Sequence, residues 1–218
     1  MAGDSAAFGS AAGERARLVR RGLRLEYLTV GWNAVEAVVS LAAGALAGSV
    51  ALVGFGADSL IEVSSGAVLL WRLRAEASDA RRAERVERRA LRLVGWCFLA
   101  LAAYVAYESA ASLARREAPE ASAVGVALAA LSLVVMPLLA RAKRRVADGL
   151  SSRALAADSR QTDICAYLSA ILLGGLALNA LLGWWWADPL AALLMTPIII
   201  REGIEALRGE SCRDDACH

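Results

Sequence analysis

Long apolar runs alternate with short arginine-rich blocks along the chain. Each run reaches or approaches the roughly 20 apolar residues that a helix needs to cross a bilayer. The runs cover approximately residues 27–46, 49–71, 93–114, 121–140, 150–182 and 184–200. The pattern predicts an all-α polytopic membrane protein with six transmembrane helices, embedded in a lipid bilayer.

The distribution of basic residues predicts the orientation of these helices. The turns at 47–48 and 183–188 contain no basic residue, and the connection at 115–120 contains only two. The remaining segments are rich in arginine: residues 14–26, 72–92, 141–153 and the tail from 201. Because cytoplasmic segments are enriched in Lys and Arg, both termini are expected to be cytoplasmic.

The apolar runs define one domain, residues 26–201, between two tails. The first tail, residues 1–25, begins with a Gly, Ala and Ser-rich stretch at 1–13 that we expect to be disordered, and no cleavable signal peptide is evident. The second tail, residues 202–218, contains a cluster of metal-binding residue types: Cys212, Asp214, Asp215, Cys217 and His218. This cluster is either a capture site for a thiophilic cation or a polar, disordered end.

Composition supports the membrane assignment and narrows the function. The chain is 58% hydrophobic with a mean hydropathy of +0.48, above the roughly 45–50% apolar content of soluble domains. The net charge is only +2, and the 24 basic residues fall in blocks, so we expect no nucleic-acid partner. The cysteines at 97, 165, 212 and 217 suggest no disulfide framework.

Two acids interrupt the second apolar run. Asp58 and Glu62 are four residues apart and therefore share one face of a helix. A carboxylate at the centre of a bilayer costs roughly 2.5–3.5 kcal/mol, so two on one face need a partner. A bound cation is one such partner. The alternative is that both acids are protonated and hydrogen-bonded inside a helix bundle.

The fifth run is the other span with a comparable density of polar groups. One stripe of the predicted helix contains Asp158, Gln161, Thr162, Cys165 and Ser169. Asp163 lies about 140° from Asp158 and three residues from Arg160, so a solvated ion pair accounts for it. We therefore interpret the stripe as the second half of a binding site.

Depth along the helices distinguishes the members of this stripe. Measured along their helices from the turns at 47–48 and 183–188, Glu62 and Cys165 both lie roughly 20–24 Å deep, whereas Asp158 is about 10 Å deeper. Cys165 and Gln161 are thus the favoured partners, with Asp158 as a ligand nearer the cytoplasmic mouth or as a polar cap. Two carboxylates and a thiolate suit Zn²⁺, while an all-oxygen set would favour Mg²⁺ or Mn²⁺. A small buried residue that packs helices is the alternative for Cys165.

Three sequence elements resemble those of the cation diffusion facilitators, exporters of zinc and other divalent metals. GSVALVGFGADSLIE at 48–62, followed by an Arg-rich segment, resembles their second transmembrane helix. AADSRQTDIC at 156–165 is similar to the fifth helix, and WWADPLAALL at 185–194 to the Asp-Pro start of the sixth. The resemblance implies that Asp58 and Glu62 bind the transported metal.

The chain also departs from this family's pattern. The usual fifth-helix element has a His or Asp four residues before an Asp, and an ungapped alignment puts Gln161 and Cys165 there. A gapped alignment instead puts Ser159 and Asp163 at these positions. The missing histidine leaves the metal preference open. Residues 202–218 are too few to form the family's cytoplasmic domain, so we expect a short form.

The sequence thus predicts efflux of a divalent cation, Zn²⁺ first, with Mn²⁺, Cd²⁺ or Co²⁺ as alternatives. The resemblance implies a homodimer that uses alternating access and protons as counter-ion, and we expect a bacterial inner membrane. Two other hypotheses are a membrane zinc-binding or sensing protein without transport and a small organic-cation exporter. An enzyme is not expected, since the sequence has no evident nucleophile and base pair, phosphate loop or HExxH element.

Overall fold

The computed structural model describes the backbone of residues 2–74 and 80–208. Side chains are described in these ranges except at 2–12, 69, 71–74, 80–88, 153, 154 and 157. The six helices are α1 (Ala2–Ala47), α2 (Val50–Arg74), α3 (Ala80–Arg115), α4 (Ala123–Leu150), α5 (Arg153–Leu182) and α6 (Ala187–Arg208). The predicted cluster of Cys212, Cys217 and His218 lies outside the described residues.

The all-α, polytopic prediction is confirmed, with one helix for each apolar run. Five of the helices, α1 to α5, contain a segment long and apolar enough to cross a membrane. The sixth, α6, is 22 residues long and combines an apolar middle with Asp188 at its start and a charged end from Arg201.

The helices extend further than predicted, because the basic segments continue them. We predicted residues 1–13 to be disordered, and this was wrong, since α1 begins at Ala2. The connections at 72–92 and 141–153 are also largely helical: α3 begins at Ala80, and α4 and α5 are separated only by Ser151 and Ser152. Ala, Arg and Glu are strong helix formers, so these polar segments continue the apolar helices beside them.

The hairpin between α1 and α2 is tight, since only Gly48 and Ser49 separate the two helices. Gly48 adopts a positive φ of 65°, which glycine tolerates without strain. A Cβ atom on Gly44 would lie 2.8 Å from the backbone nitrogen of Val53, so only glycine allows this approach. The turn therefore holds the two helices in direct backbone contact at one end of the bundle.

Asp188 joins the start of α6 to the start of α2. The Ser49 hydroxyl donates a hydrogen bond of 2.5 Å to the buried Asp188 carboxylate, and the Ala51 backbone N–H donates a second of 3.4 Å. The Ser49 side chain in turn accepts from the Leu52 N–H at 3.1 Å and so caps α2. The Asp-Pro element noted in the sequence thus has a structural role, since an acid stabilises a helix amino terminus.

Apolar and polar contacts occupy different parts of the bundle. The apolar core lies mainly between α2, α3, α5 and α6 and includes Leu52, Phe55, Phe98, Leu168, Leu172 and Ile199. Gly95 of α3 and Gly203 of α6 bring their backbones together, since a Cβ on Gly95 would lie 2.8 Å from the Gly203 carbonyl oxygen. Most of the buried charged side chains lie instead between α1, α2, α4 and α5.

Candidate metal centre

Asp58, Glu62 and Cys165 come together in the interior of the bundle. One potential ligand atom from each lies within 4.8 Å of the other two, and all three residues are buried. One helical turn separates Asp58 from Glu62 on α2, and Cys165 faces them from α5. Glu62 is about 18 Å along α2 from Val50, so the cluster lies near the middle of this helix. We call these three residues the acid–thiol cluster.

The Glu62 carboxylate is held in place by three donors from two other helices. The Cys165 thiol lies 2.8 Å and 2.7 Å from its two oxygens. Asn33 Nδ2 donates to Oε2 at 2.7 Å, and Gln161 Nε2 donates to Oε1 at 3.2 Å. Both residues that sequence depth favoured on α5, Gln161 and Cys165, therefore contact Glu62.

Asp58 has a different environment. Asp58 is 2% exposed, and no hydrogen bond from the described side chains reaches its carboxylate. The charged groups that act on it are all acidic: Glu62, Glu202 and Glu36. An unpaired buried charge is strongly destabilising, so this carboxylate needs either a proton or a cation.

The donor set of the acid–thiol cluster suits a divalent cation. Zinc binds thiolate sulfur at about 2.3 Å and carboxylate oxygen at about 2.0–2.2 Å, and it accepts this mixture of hard and soft ligands. The close contact between Cys165 and Glu62 is a thiol-to-carboxylate hydrogen bond. A metal ion would replace this thiol proton, since cysteine binds metals as the thiolate.

Asp158, also predicted as a ligand, lies in a separate cluster. Its Oδ2 atom is 2.6 Å from Lys143 Nζ, and the same nitrogen is 2.9 Å from Glu26 Oε2 and 3.4 Å from Thr162 Oγ1. Lys143 is fully buried. The structure thus places Asp158 in an ion-paired group that joins α1, α4 and α5. We call its members, Glu26, Lys143 and Asp158, the Lys143 triad.

Asp163 is directed away from the acid–thiol cluster. It pairs with Arg144 of α4 through contacts of 2.7 Å and 3.3 Å, rather than with the predicted Arg160. Ser159, its partner in the gapped alignment, donates to the carbonyl of Ala156 at 2.8 Å. The structure therefore brings Gln161 and Cys165 to Glu62, and neither Asp163 nor Ser159.

Several buried polar residues near the cluster were not assigned a role from the sequence. Glu36 accepts hydrogen bonds from Trp32 Nε1 at 2.6 Å, from Ser59 at 3.4 Å and from Ser132. Asn33 and Glu36 are polar residues within the first apolar run, but the sequence does not show what they contact. Glu202 was missed because it follows the last apolar run.

Comparison with known proteins adds independent information. Residues 27–210 match the family described as the cation efflux transmembrane domain. The chain is 25% identical over 189 residues to transmembrane protein 163 of Xenopus laevis, covering 86% of this chain and 66% of that protein. It is 27% identical over 186 residues to the uncharacterized transporter sll1263 of Synechocystis sp., covering 83% and 60%. The chain thus spans just under two thirds of the length of these relatives.

Proposed function

This chain belongs to the cation efflux family, and on that premise we propose that it carries a divalent metal cation, preferentially Zn²⁺, across a membrane. The observation that carries the proposal is the buried acid–thiol cluster, whose three ligand atoms lie within 4.8 Å of one another. Two carboxylates and a thiolate supply the negative charge that a desolvated divalent cation needs.

In the proposed mechanism, protons and metal compete for the same side chains. Metal binding removes the Cys165 thiol proton, and reprotonation of Cys165, Glu62 and Asp58 on the other side of the membrane releases the ion. Tilting of helices would expose the cluster to each side in turn. A homodimeric assembly remains a prediction.

Zinc transport is expected to respond to a proton gradient. In proteoliposomes containing the purified protein, acidifying the lumen by one pH unit should raise the accumulated Zn²⁺ by about tenfold for each proton exchanged per ion. The sign follows from the ligands, because protonation in the lumen favours release there. A protonophore should abolish the increase. Accumulation that ignores the gradient would rule out antiport, and zinc binding without any uptake would favour the sensing hypothesis.

Metal preference is expected to depend on Cys165. Replacing it with serine exchanges a soft sulfur ligand for a hard oxygen, which should weaken Zn²⁺ and Cd²⁺ binding by about tenfold or more relative to Mn²⁺. Equilibrium dialysis of the purified variant with each ion measures this ratio. Cys97→Ser is the matched control, since Cys97 is an exposed free cysteine on α3. An equal loss for all three ions would indicate that Cys165 has only a packing role.

A further inference from the structure

Glu202 is buried on α6 although its charged neighbours are exposed. Its exposed fraction is 5%. Arg201 and Glu205, one residue before and three residues after it, pair with each other at 2.7 Å, and their side chains are 76% and 44% exposed. The end of α6 therefore has one acid that faces the interior of the bundle and one that faces outward.

The Gln161 carboxamide lies between Glu202 and the acid–thiol cluster. Gln161 Nε2 donates to Glu62 Oε1 at 3.2 Å, and the Gln161 side chain is also a polar neighbour of the Glu202 carboxylate. Glu202 is among the charged groups that act on both Asp58 and Glu62. One amide thus connects the carboxylate on α6 to the carboxylate on α2.

One oxygen of Glu202 has no hydrogen-bond partner. Oε1 is fully buried, and no donor among the described residues reaches it. The other buried glutamates of the bundle differ from it: Glu36 accepts from three side chains, and Glu26 pairs with Lys143. Buried acceptors in folded proteins are nearly always satisfied, and this oxygen is one of five described exceptions. Asp158 Oδ2, another of them, lies 2.6 Å from the Lys143 ammonium, whereas no described cation pairs with Glu202 Oε1 in this way, so this oxygen is available to a metal ion.

The Glu202 carboxylate lies outside the group of ligand atoms that are within 4.8 Å of one another, and we propose that it is a further oxygen ligand, contributed by α6, for a divalent cation on its way to the acid–thiol cluster. The inference rests on the proposed function and extends its site from α2 and α5 to a third helix. Gln161 lies one turn nearer the start of α5 than Cys165, and Glu202 lies near the carboxyl end of α6, so both occupy the same side of the cluster. A cation arriving from that side would meet Glu202 and Gln161 before Asp58 and Glu62.

The test is Zn²⁺ binding to the purified full chain by equilibrium dialysis. Glu202→Gln keeps the shape of the side chain and removes its charge, and we expect Zn²⁺ affinity to fall by about tenfold or more. Glu205→Gln is the matched control, an exposed acid on the same helix, and its affinity should stay within about twofold of wild type. Glu202→Asp keeps a carboxylate and should lie between wild type and Glu202→Gln.

The possible outcomes separate this inference from the proposed function. Wild-type binding with Glu202→Gln affinity within about twofold of it would overturn the role of Glu202 and leave the proposed function intact. Equal losses in Glu202→Gln and Glu202→Asp, with a lower melting temperature of the metal-free protein, would assign Glu202 to packing alone. A wild type that binds neither Zn²⁺ nor Mn²⁺ would overturn both. If Glu202→Gln does not fold, the affinity of Glu202→Asp decides: a value nearer wild type supports the inference, and a complete loss overturns it.

Discussion

Replacing Asp58 with asparagine is expected to reduce metal transport by about 100-fold or more. Asparagine matches the shape of aspartate and removes the negative charge, which is the property that a divalent ion needs from a desolvated ligand. Asp58 is 2% exposed, and the charged groups that act on it are acidic, so no cation among the described residues explains its burial. The measurement is the initial rate of Zn²⁺ uptake into proteoliposomes reconstituted with equal amounts of variant and wild type.

Asp163→Asn is the control for this experiment. Asp163 is an acid in a transmembrane helix too, but its partner is the arginine at 144, and its side chain is 24% exposed. We expect its uptake rate to remain within about twofold of wild type, as for other surface ion pairs. Uptake by Asp58→Asn above a tenth of the wild-type rate would remove Asp58 from the transport site.

The second large effect is expected on stability, from Lys143→Met. The Lys143 ammonium is fully buried and pairs with Glu26 at 2.9 Å and Asp158 at 2.6 Å. Removing it leaves two carboxylates unpaired in the interior, which should lower the free energy of unfolding by about 3–5 kcal/mol. Denaturant titration of the detergent-solubilised protein, followed by circular dichroism, measures the change.

The neighbouring residue supplies a control for this substitution. Arg144 also forms an ion pair between α4 and α5, but its side chain is 47% exposed, so Arg144→Met should cost no more than about 1 kcal/mol. Replacing Glu26 with Gln and Asp158 with Asn in the Lys143→Met background should restore most of the lost stability, because no buried charge then remains in the triad. Equal costs for the Lys143 and Arg144 substitutions would contradict the role of burial.

The helices could be predicted from the sequence because crossing a bilayer requires long apolar runs. Their ends could not, because the polarity that ends an apolar run does not end a helix. The segment from Arg141 to Leu150 is rich in arginine and alanine, and it continues α4 by nearly three turns. A basic block between two apolar runs therefore does not by itself predict a loop.

The spacing of Asp58 and Glu62 and the depth of Cys165 were sufficient to predict the acid–thiol cluster. The positions of Asp158 and Glu202 were not predictable in the same way. Lys143 lies in a segment interpreted as a connection, so the sequence offered no buried cation to pair with Asp158. Contacts between helices depend on how far each helix is rotated about its axis, and one apolar stripe does not determine that angle.

The glycine contact between α3 and α6 limits how the bundle can deform. The backbones at Gly95 and Gly203 are too close for a side chain at Gly95, since a Cβ there would lie 2.8 Å from the Gly203 carbonyl oxygen, and a Cβ on Gly203 would be tightly packed at 3.1 Å from the Gly95 carbonyl oxygen. Helices in such close contact slide or separate only by losing their packing, so we expect α3 and α6 to tilt together as one rigid pair. Glu202 is adjacent to this contact, and any tilt of the α3–α6 pair would change the distance between Glu202 and Gln161 on α5.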